Sequence, residues 1–474
     1  MRRNGLCGGV IIWVMVAARA FAQDSAASGP LHINEFMASN VLAHENSSGD
    51  YEDWIEIYNS GNAAIDLSGY YLTDSYPAAE YWMIAADQGV DLEVPARGYL
   101  VLYADKKTAL GPAHLNFKLR RSGEQIVLIG RDGTTVIDSI SYPAQFRDIS
   151  YGRSPAAPSQ WVYFTRFTPG AGNEPGHADF VGAPTIDQEG GFYDGNLAVS
   201  VVPAHRGDAI HYTLDGSDPG AASPRYEAPV RLDRSAIFKA RAFKPGALPS
   251  PIVTRPFFID VRHALPVLTL MTDPRNLFDP DSGIMVHDKA GRGWERFAEL
   301  AFFEQGKLGF HLGAGLRVQG NTGPKEFAKK SFRTFFRAGY GERELNYALF
   351  PADPVTRFTR LVLRSGYDDS MEPNGHGSFR PTLLRDPLVT ELWRRAGGLT
   401  PLSRFAVLYL NDGFNGVFDI KQSVDEKFVE DHMGYGEVDL LRTRWDSIEV
   451  VHGERKKWDE MIEFFAANSF AGNK

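Results

Sequence analysis

The chain has 474 residues, 50 Lys+Arg against 59 Asp+Glu for a formal net charge of −9, and hydrophobic and aromatic shares of 43% and 12%. That length exceeds what one hydrophobic core usually serves and predicts about three domains, while the acidic balance argues against nucleic acid as a partner. The one cysteine, Cys7, lies near the N-terminus, so the rest of the chain has no disulfide, no zinc thiolate site and no cysteine nucleophile.

Residues 1–22 read as a secretory signal peptide. Arg2 and Arg3 precede a short apolar run through Ile11, Ile12, Trp13, Val14, Met15 and Val16, and Ala20-Phe21-Ala22 gives a small-x-small end before Gln23. A bilayer span needs about 20 apolar residues, more than this run supplies. The expectation is a secreted or cell-envelope protein with no transmembrane anchor after cleavage. Residues 23–30 read as a disordered lead-in.

Residues 31–175 alternate apolar and polar positions in short runs separated by Gly, Asp, Asn and Pro, which predicts an antiparallel sandwich. Three stretches carry a more specific message: Ile33-Asn34-Glu35-Phe36-Met37-Ala38-Ser39-Asn40, Asp53-Trp54-Ile55-Glu56-Ile57-Tyr58-Asn59 and Leu67-Ser68-Gly69-Tyr70-Tyr71-Leu72-Thr73-Asp74. With Phe117-Lys118-Leu119 and Phe167-Thr168-Pro169-Gly170 they resemble the lamin-tail domain, which implies an immunoglobulin-like sandwich without chemistry of its own. Asp50, Glu52, Asp53 and Glu56 read as a solvated strand edge and turn, with a calcium site as the rival. Asn34 and Glu35 read as bridging local backbone.

Residues 184–260 form a second, smaller β pattern of a size that buries only a modest core. The run Ile210-His211-Tyr212-Thr213-Leu214-Asp215-Gly216-Ser217-Asp218-Pro219 resembles the β-sandwich repeat at the carboxyl end of chitobiase and hexosaminidase type enzymes. Asp215 and Asp218 stand in a turn and read as backbone-binding side chains rather than a catalytic pair.

From residue 264 to 474 helical and strand patterns mix. Residues 265–270, 315–318, 331–336, 405–410 and 416–420 read as strands, the last two joined through Asn411-Asp412-Gly413. Residues 386–396 read as a helix capped by Asp386, with Leu388, Val389, Leu392, Trp393 and Ala396 on one face, and a final amphipathic helix holds Trp458, Met461, Ile462 and Phe465. The segments Gly315-Leu316-Arg317-Val318-Gln319-Gly320-Asn321-Thr322, Lys329-Lys330-Ser331-Phe332-Arg333, Leu363-Arg364-Ser365-Gly366, Leu384-Arg385-Asp386 and Tyr409-Leu410-Asn411-Asp412-Gly413-Phe414-Asn415-Gly416-Val417-Phe418 together resemble the spore coat protein H (CotH) kinase family. The fold expectation is therefore multidomain: an immunoglobulin-like β-sandwich, a second small β-sandwich, and an α+β atypical protein-kinase-like domain that is incomplete at its C-terminus.

The resemblance implies magnesium-dependent transfer of the terminal ATP phosphoryl group to a hydroxyl of a secreted or surface protein. Lys330 would steady phosphates and Arg385 would support the site. Gly320, Asn321, Lys329 and Gln422 are the further nucleotide-side candidates, and no metal ligands are assigned. Gln422 stands where the family commonly has a glutamate, and a neutral amide anchors a lysine or magnesium less well than a carboxylate. The rival is a binding or scaffold protein that attaches to cell-surface polysaccharide or protein.

Overall fold

The computed structural model describes residues 29–46, 48–77, 81–86, 92–286, 291–320, 329–366, 369, 381–444 and 447–468. These residues fall into two compact units, one ending at Gly176 and one beginning at His177. The segment read as a signal peptide lies outside the described residues. No helix among the described residues is long and apolar enough to cross a membrane.

The first unit is a sandwich. Strands β1 (Leu31–Met37), β2 (Trp54–Asn59), β3 (Tyr71–Thr73), β4 (Trp82–Met83), β5 (Tyr99–Tyr103), β6 (Glu124–Ile129), β7 (Val136–Tyr142), β8 (Ser150–Arg153) and β9 (Trp161–Phe164) form two antiparallel sheets. Their orders are β9-β8-β1-β2-β5 and β4-β3-β6-β7. Alternation sends Phe36, Ile55, Ile57 and Leu102 of the first sheet and Leu72, Ile126, Leu128 and Ile140 of the second into one core. A register shift between Ile33 and Glu35 sets Glu35 opposite Glu56. The acidic turn before β2 is filled by lysine: Lys107 lies 2.6 Å from Asp50 and 2.9 Å from Glu52, and Lys118 lies 3.2 Å from Glu52.

The second unit begins with a four-stranded sheet of β10 (Gly191–Tyr193), β11 (Ala209–Thr213), β12 (Ala236–Phe243) and β13 (Val253–Ile259), in the order β10-β13-β12-β11. Short strand pairs at Thr185–Ile186 with Val201–Val202 and at Leu197–Val199 with Val230–Leu232 add to it. As the turn chemistry predicts, Asp215 Oδ1 accepts from the Ser217 amide and hydroxyl. Asp218 instead accepts from buried Lys239 at 2.7 Å.

Seven further strands close into a barrel: β14 (Val267–Met271), β15 (Arg296–Glu304), β16 (Lys307–Gln319), β17 (Ser331–Phe335), β18 (Arg360–Arg364), β19 (Ser403–Leu410) and β20 (Gly413–Gln422). The order is β14-β15-β16-β17-β18-β20-β19, and the parallel pairing of β19 with β14 completes the ring. Leu270, Leu300, Phe302, Leu316, Phe332, Leu363, Leu408, Phe418 and Ile420 fill the inside, so the barrel is a packed core and not a channel. Ile237 and Phe258 of the preceding sheet pack with Val267, Met271, Phe303, Val407 and Tyr409 of the barrel in a second apolar cluster. Asn411, at the β19–β20 turn with φ 54°, accepts from the Thr272 amide through Oδ1 at 2.9 Å.

Among the described residues, helices α1 (Pro274–Phe278), α2 (Arg385–Arg395), α3 (Glu426–Met433) and α4 (Lys456–Ala467) accompany the barrel. Helix and strand both occur here, as the sequence predicts, and the strands build a closed barrel that carries the fold. The helix expected at residues 386–396 forms as α2, but its apolar face is not buried: Leu388, Val389, Leu392 and Trp393 are 57%, 64%, 57% and 61% exposed. The physical reason lies in its first turn, where Asp386 meets the barrel wall through charge and leaves the apolar stripe facing outward. Met461, Ile462 and Phe465 of α4 are likewise exposed.

Candidate functional site

β18 and β20 run antiparallel, with Leu363 opposite Ile420 and Arg364 opposite Asp419. Leu363, Phe418 and Ile420 point into the barrel, so strand alternation puts Arg364, Asp419 and Lys421 on its outer wall. Asp386, in the first turn of α2, comes to the same place. Its Oδ2 accepts from the Lys421 ammonium and lies 3.7 Å from Arg364 Nη1. Lys421 Nζ is 4.0 Å from Asp419 Oδ2, which also accepts from Ser403 Oγ at 3.1 Å. Asp419 Oδ1 is buried without a hydrogen-bond partner among the described residues. Burial pushes the Asp419 carboxyl up to about 6, against the opposing pull of Lys421 and the Ser403 hydroxyl.

The start of α2 is fixed by a different aspartate. The sequence reading gave the cap to Asp386, yet Asp369 fills that role: its carboxylate accepts from the amides of Thr382 at 2.6 Å and Arg385 at 2.9 Å and from the Thr382 hydroxyl at 3.0 Å. Asp386 lies one residue inside the helix, where its side chain is drawn to Lys421. Burial raises the Asp369 carboxyl, but the amides of Arg385 and Thr382 outweigh it and hold it below the usual range. Arg385 Nε lies 3.6 Å from Asp369 Oδ1, with the side chain 46% exposed. A cavity of about 390 Å3 adjoins this end of α2 and is lined in part by Pro387, Thr390, Arg394, Pro401, Ser403 and Phe405.

The lysine pair stands at the start of β17. Lys329 is buried, donates to the Val417 carbonyl at 3.0 Å and sits 4.7 Å above the Phe418 ring. A Cβ at Gly416 would come 3.1 Å from the Lys329 ammonium, and with φ 86° that position suits glycine alone. Lys330 directly precedes β17 and is partly buried. Beside it Ser331 Oγ accepts from the Ser365 amide at 2.9 Å. Gly320, with φ 113°, ends β16, and Asn321 lies outside the described residues. Gln422 is buried, accepts from the Leu402 amide at 3.0 Å and donates to Asp353 at 2.6 Å.

These positions fall within one matched segment. Residues 316–468 match the family model described as CotH kinase protein. Residues 24–144 match the Lamin Tail Domain model and residues 202–257 the model described as Fn3 associated. No single match spans half of the chain, and no curated protein matches it. The CotH match supports a phosphotransferase-like role in general terms. It begins near the end of β16, so β14 and β15, which close the barrel, precede it.

The Fn3-associated match corrects the resemblance of the middle module to the chitobiase and hexosaminidase type repeat. The run through Asp215-Gly216-Ser217 that carried that resemblance makes an Asx turn, and turn chemistry of this kind recurs across unrelated sandwiches.

Within the CotH-matched segment the structure brings Arg364, Asp386, Asp419 and Lys421 together, and places Lys329 and Gln422 in separate hydrogen-bond sets. Lys421 is the residue that sequence reasoning missed. The signal was present: in Phe418-Asp419-Ile420-Lys421 two charges alternate with two core residues, which puts both charges on one face of a strand.

Proposed function

We propose that the chain is an exported phosphotransferase-like protein that moves the terminal phosphoryl group of ATP to a hydroxyl of a secreted or surface protein. The observation that carries this reading is the gathering of three cations, Arg364, Arg385 and Lys421, around the first turn of α2 inside the CotH-matched segment. A helix start and arginine together favour a phosphate.

The residues fit the two cofactors unequally. Arg385 combines a half-exposed guanidinium with a position at a helix start, which suits a phosphate, although Asp369 holds its amide. For magnesium, no group of three carboxylate or histidine side chains converges among the described residues. Lys330 is assigned to steady phosphates and Arg385 to support them. Gly320 would allow close backbone approach and Asn321 is a further nucleotide-side candidate, while Lys329 and Gln422 would act by shaping β20, since their polar groups bond there or nearby.

The test is calorimetric titration of the chain with ATP and magnesium, beside Lys330→Ala and Arg385→Ala. Saturable binding that is lost in the first variant and weakened in the second is expected. A folded wild-type chain that binds no nucleotide overturns the reading. The exposed apolar faces of α2 and α4 favour a second reading, an exported binding or scaffold protein for cell-surface polysaccharide or protein. Retention on cell-wall material without any nucleotide response would support that one.

A further inference from the structure

The outer wall of the barrel carries one arginine that the surrounding residues leave unpaired. On β17, Phe332 and Thr334 are fully buried and Phe332 fills the barrel, so alternation puts Ser331, Arg333 and Phe335 on the opposite face. Arg333 stands directly opposite Arg317 of β16 on one side and Val362 of β18 on the other. Neither supplies a negative charge, and like charges directly opposite on paired strands are destabilising. Along β17 its same-face neighbours are Ser331, whose hydroxyl lies 3.0 Å from that of Ser365, and the apolar ring of Phe335. Among the described residues the Arg333 side chain makes no hydrogen bond or ion pair, and its Nε is buried without a partner.

The carboxylates nearby are already engaged. Glu295 accepts from Arg317 Nε at 2.8 Å, from Arg337 Nε at 3.1 Å and from the Tyr340 hydroxyl at 2.8 Å. Asp425 lies 2.9 Å from Arg360 Nε and caps α3 by accepting from the Phe428 amide at 3.0 Å, while Glu426 accepts from Arg360 Nη2 at 3.1 Å. Arg442 of β21 (Leu440–Arg444) is paired across the hairpin with Glu449 of β22 (Ser447–His452), 3.6 Å away. Burial first, then Arg442, Arg360 and Arg317, press against the charge on Arg333, with Asp425 pulling the other way, and together they hold it below its usual value.

A guanidinium does not escape such a setting by giving up its proton in the ordinary pH range. A charge that is desolvated, unpaired and crowded by like charge lowers stability, and a bound anion would offset all three effects at once. We propose that Arg333 anchors an anion site on the outer wall of the barrel that takes a phosphate group, with Arg317, Arg360 and Arg442 as the surrounding positive field. Phosphate is the class that the chemistry selects. The planar fork of a guanidinium meets the oxygens of phosphate or carboxylate in pairs, and several fixed cations favour a dianion over a singly charged group. Because Nε is buried while the side chain keeps partial exposure, the terminal nitrogens are the donors that a ligand reaches.

This site is separate from the cations at the first turn of α2. In the strand register Arg333, Val362 and Lys421 are successive neighbours across β17, β18 and β20, which sets Arg333 and Lys421 two strand spacings, or roughly 10 Å, apart. One phosphate at Arg333 therefore stands clear of Lys421, whereas a polyphosphate is long enough to extend from one to the other. Binding of a phosphate group here does not depend on the phosphotransferase reading.

The experiment is calorimetric titration of the full chain with inorganic phosphate at constant ionic strength, with sodium chloride as the matched control, beside Arg333→Met and Arg385→Ala. Saturable phosphate binding is expected in the wild type, weakened about tenfold or more in Arg333→Met and retained in Arg385→Ala. Thermal melts add a readout that a structural arginine would move the other way. Without phosphate, Arg333→Met should melt no lower than the wild type, because it removes an unpaired charge, and phosphate should raise the melting temperature of the wild type but not of the variant. ATP then identifies the source of the group. If it displaces phosphate and its own binding falls in Arg333→Met, the site takes the phosphates of a nucleotide; if phosphate binds and ATP does not, the site stands and the nucleotide reading falls. No phosphate binding by the folded wild-type chain, equal affinity in a folded Arg333→Met, or a variant that melts well below the wild type without ligand would each overturn the proposal.

Discussion

The Glu35–Glu56 pair of the first unit and the Asp386–Asp419 pair beside the barrel set the same residue chemistry in different company. Burial is the largest influence on Glu56 and on Asp419 alike, and it acts in the same direction on both. Glu56, whose donors are neutral, is pushed up to about 8. Asp419, with Lys421 and Arg364 beside it, reaches only about 6. Glu295 extends the series: burial again opposes its charge, but Arg337, Arg317 and the Tyr340 hydroxyl together hold it below the usual carboxylate range. Burial by itself therefore does not decide whether a carboxyl group is charged in this protein. Among these three groups, the cations within reach make the difference.

Removing the cation is the strongest way to break the comparison. In Lys421→Met the Asp386 and Asp419 carboxylates lose their shared partner. Taking one member from a buried pair costs about 3–5 kcal/mol, and the half-exposed Asp386 places this change near the low end, about 3 kcal/mol. Urea unfolding should show that loss, and the Asp419 carboxyl, followed by carbon-labelled NMR, should titrate higher than in the wild type. An unchanged Asp419 titration would mean that Lys421 does not set its charge.

A smaller change sharpens the comparison without touching a cation. Ser403→Ala removes the hydroxyl donor to Asp419 Oδ2, and the other carboxylate oxygen has no partner among the described residues. A hydrogen bond to a charged group is worth about 1.5–3 kcal/mol, and Asp419 is charged only above about pH 6. The destabilisation should therefore approach about 1.5 kcal/mol above neutrality and shrink below about pH 5 as the carboxyl protonates. A cost independent of pH would show that Ser403 matters for packing and not for the charge on Asp419.

The sequence made the strands legible and left their partners hidden. The strands read at 405–410 and 416–420 lie within a hairpin, as expected, that spans 403–410 and 413–422. The parallel pairing of β14 with β19 that closes the barrel joins Val267 to Val407, and no local period encodes so distant a match. The same holds for the site. Asp369 caps a helix that starts sixteen residues later, and Glu35, read as bridging local backbone, binds Thr168 at a separation of 133 residues. The apolar face of α2 was legible as a face, since its spacing is helical. Its exposure was not, because amphipathic spacing states which residues share a side and not what lies against it.

The smallest effect concerns Asp369, the carboxylate that stays charged with hydrogen-bonded amides as its main support. Its ligands are the Thr382 amide and hydroxyl and the Arg385 amide, with the Arg385 guanidinium more distant at 3.6 Å. Asp369→Ala should cost about 1 kcal/mol, as for other helix caps, and should expose the Arg385 amide to exchange while amides in the last turn of α2 change little. Asp369→Asn separates charge from hydrogen bonding, since the amide oxygen can still accept from both backbone groups. If the fixed negative charge matters, Asp369→Asn loses most of what Asp369→Ala loses, and Arg385, with the Asp369 charge removed, should bind phosphate more readily. If only the hydrogen bonds matter, Asp369→Asn keeps the helix start protected, and the helix-start amides join the cation count as an independent means of keeping a carboxylate charged.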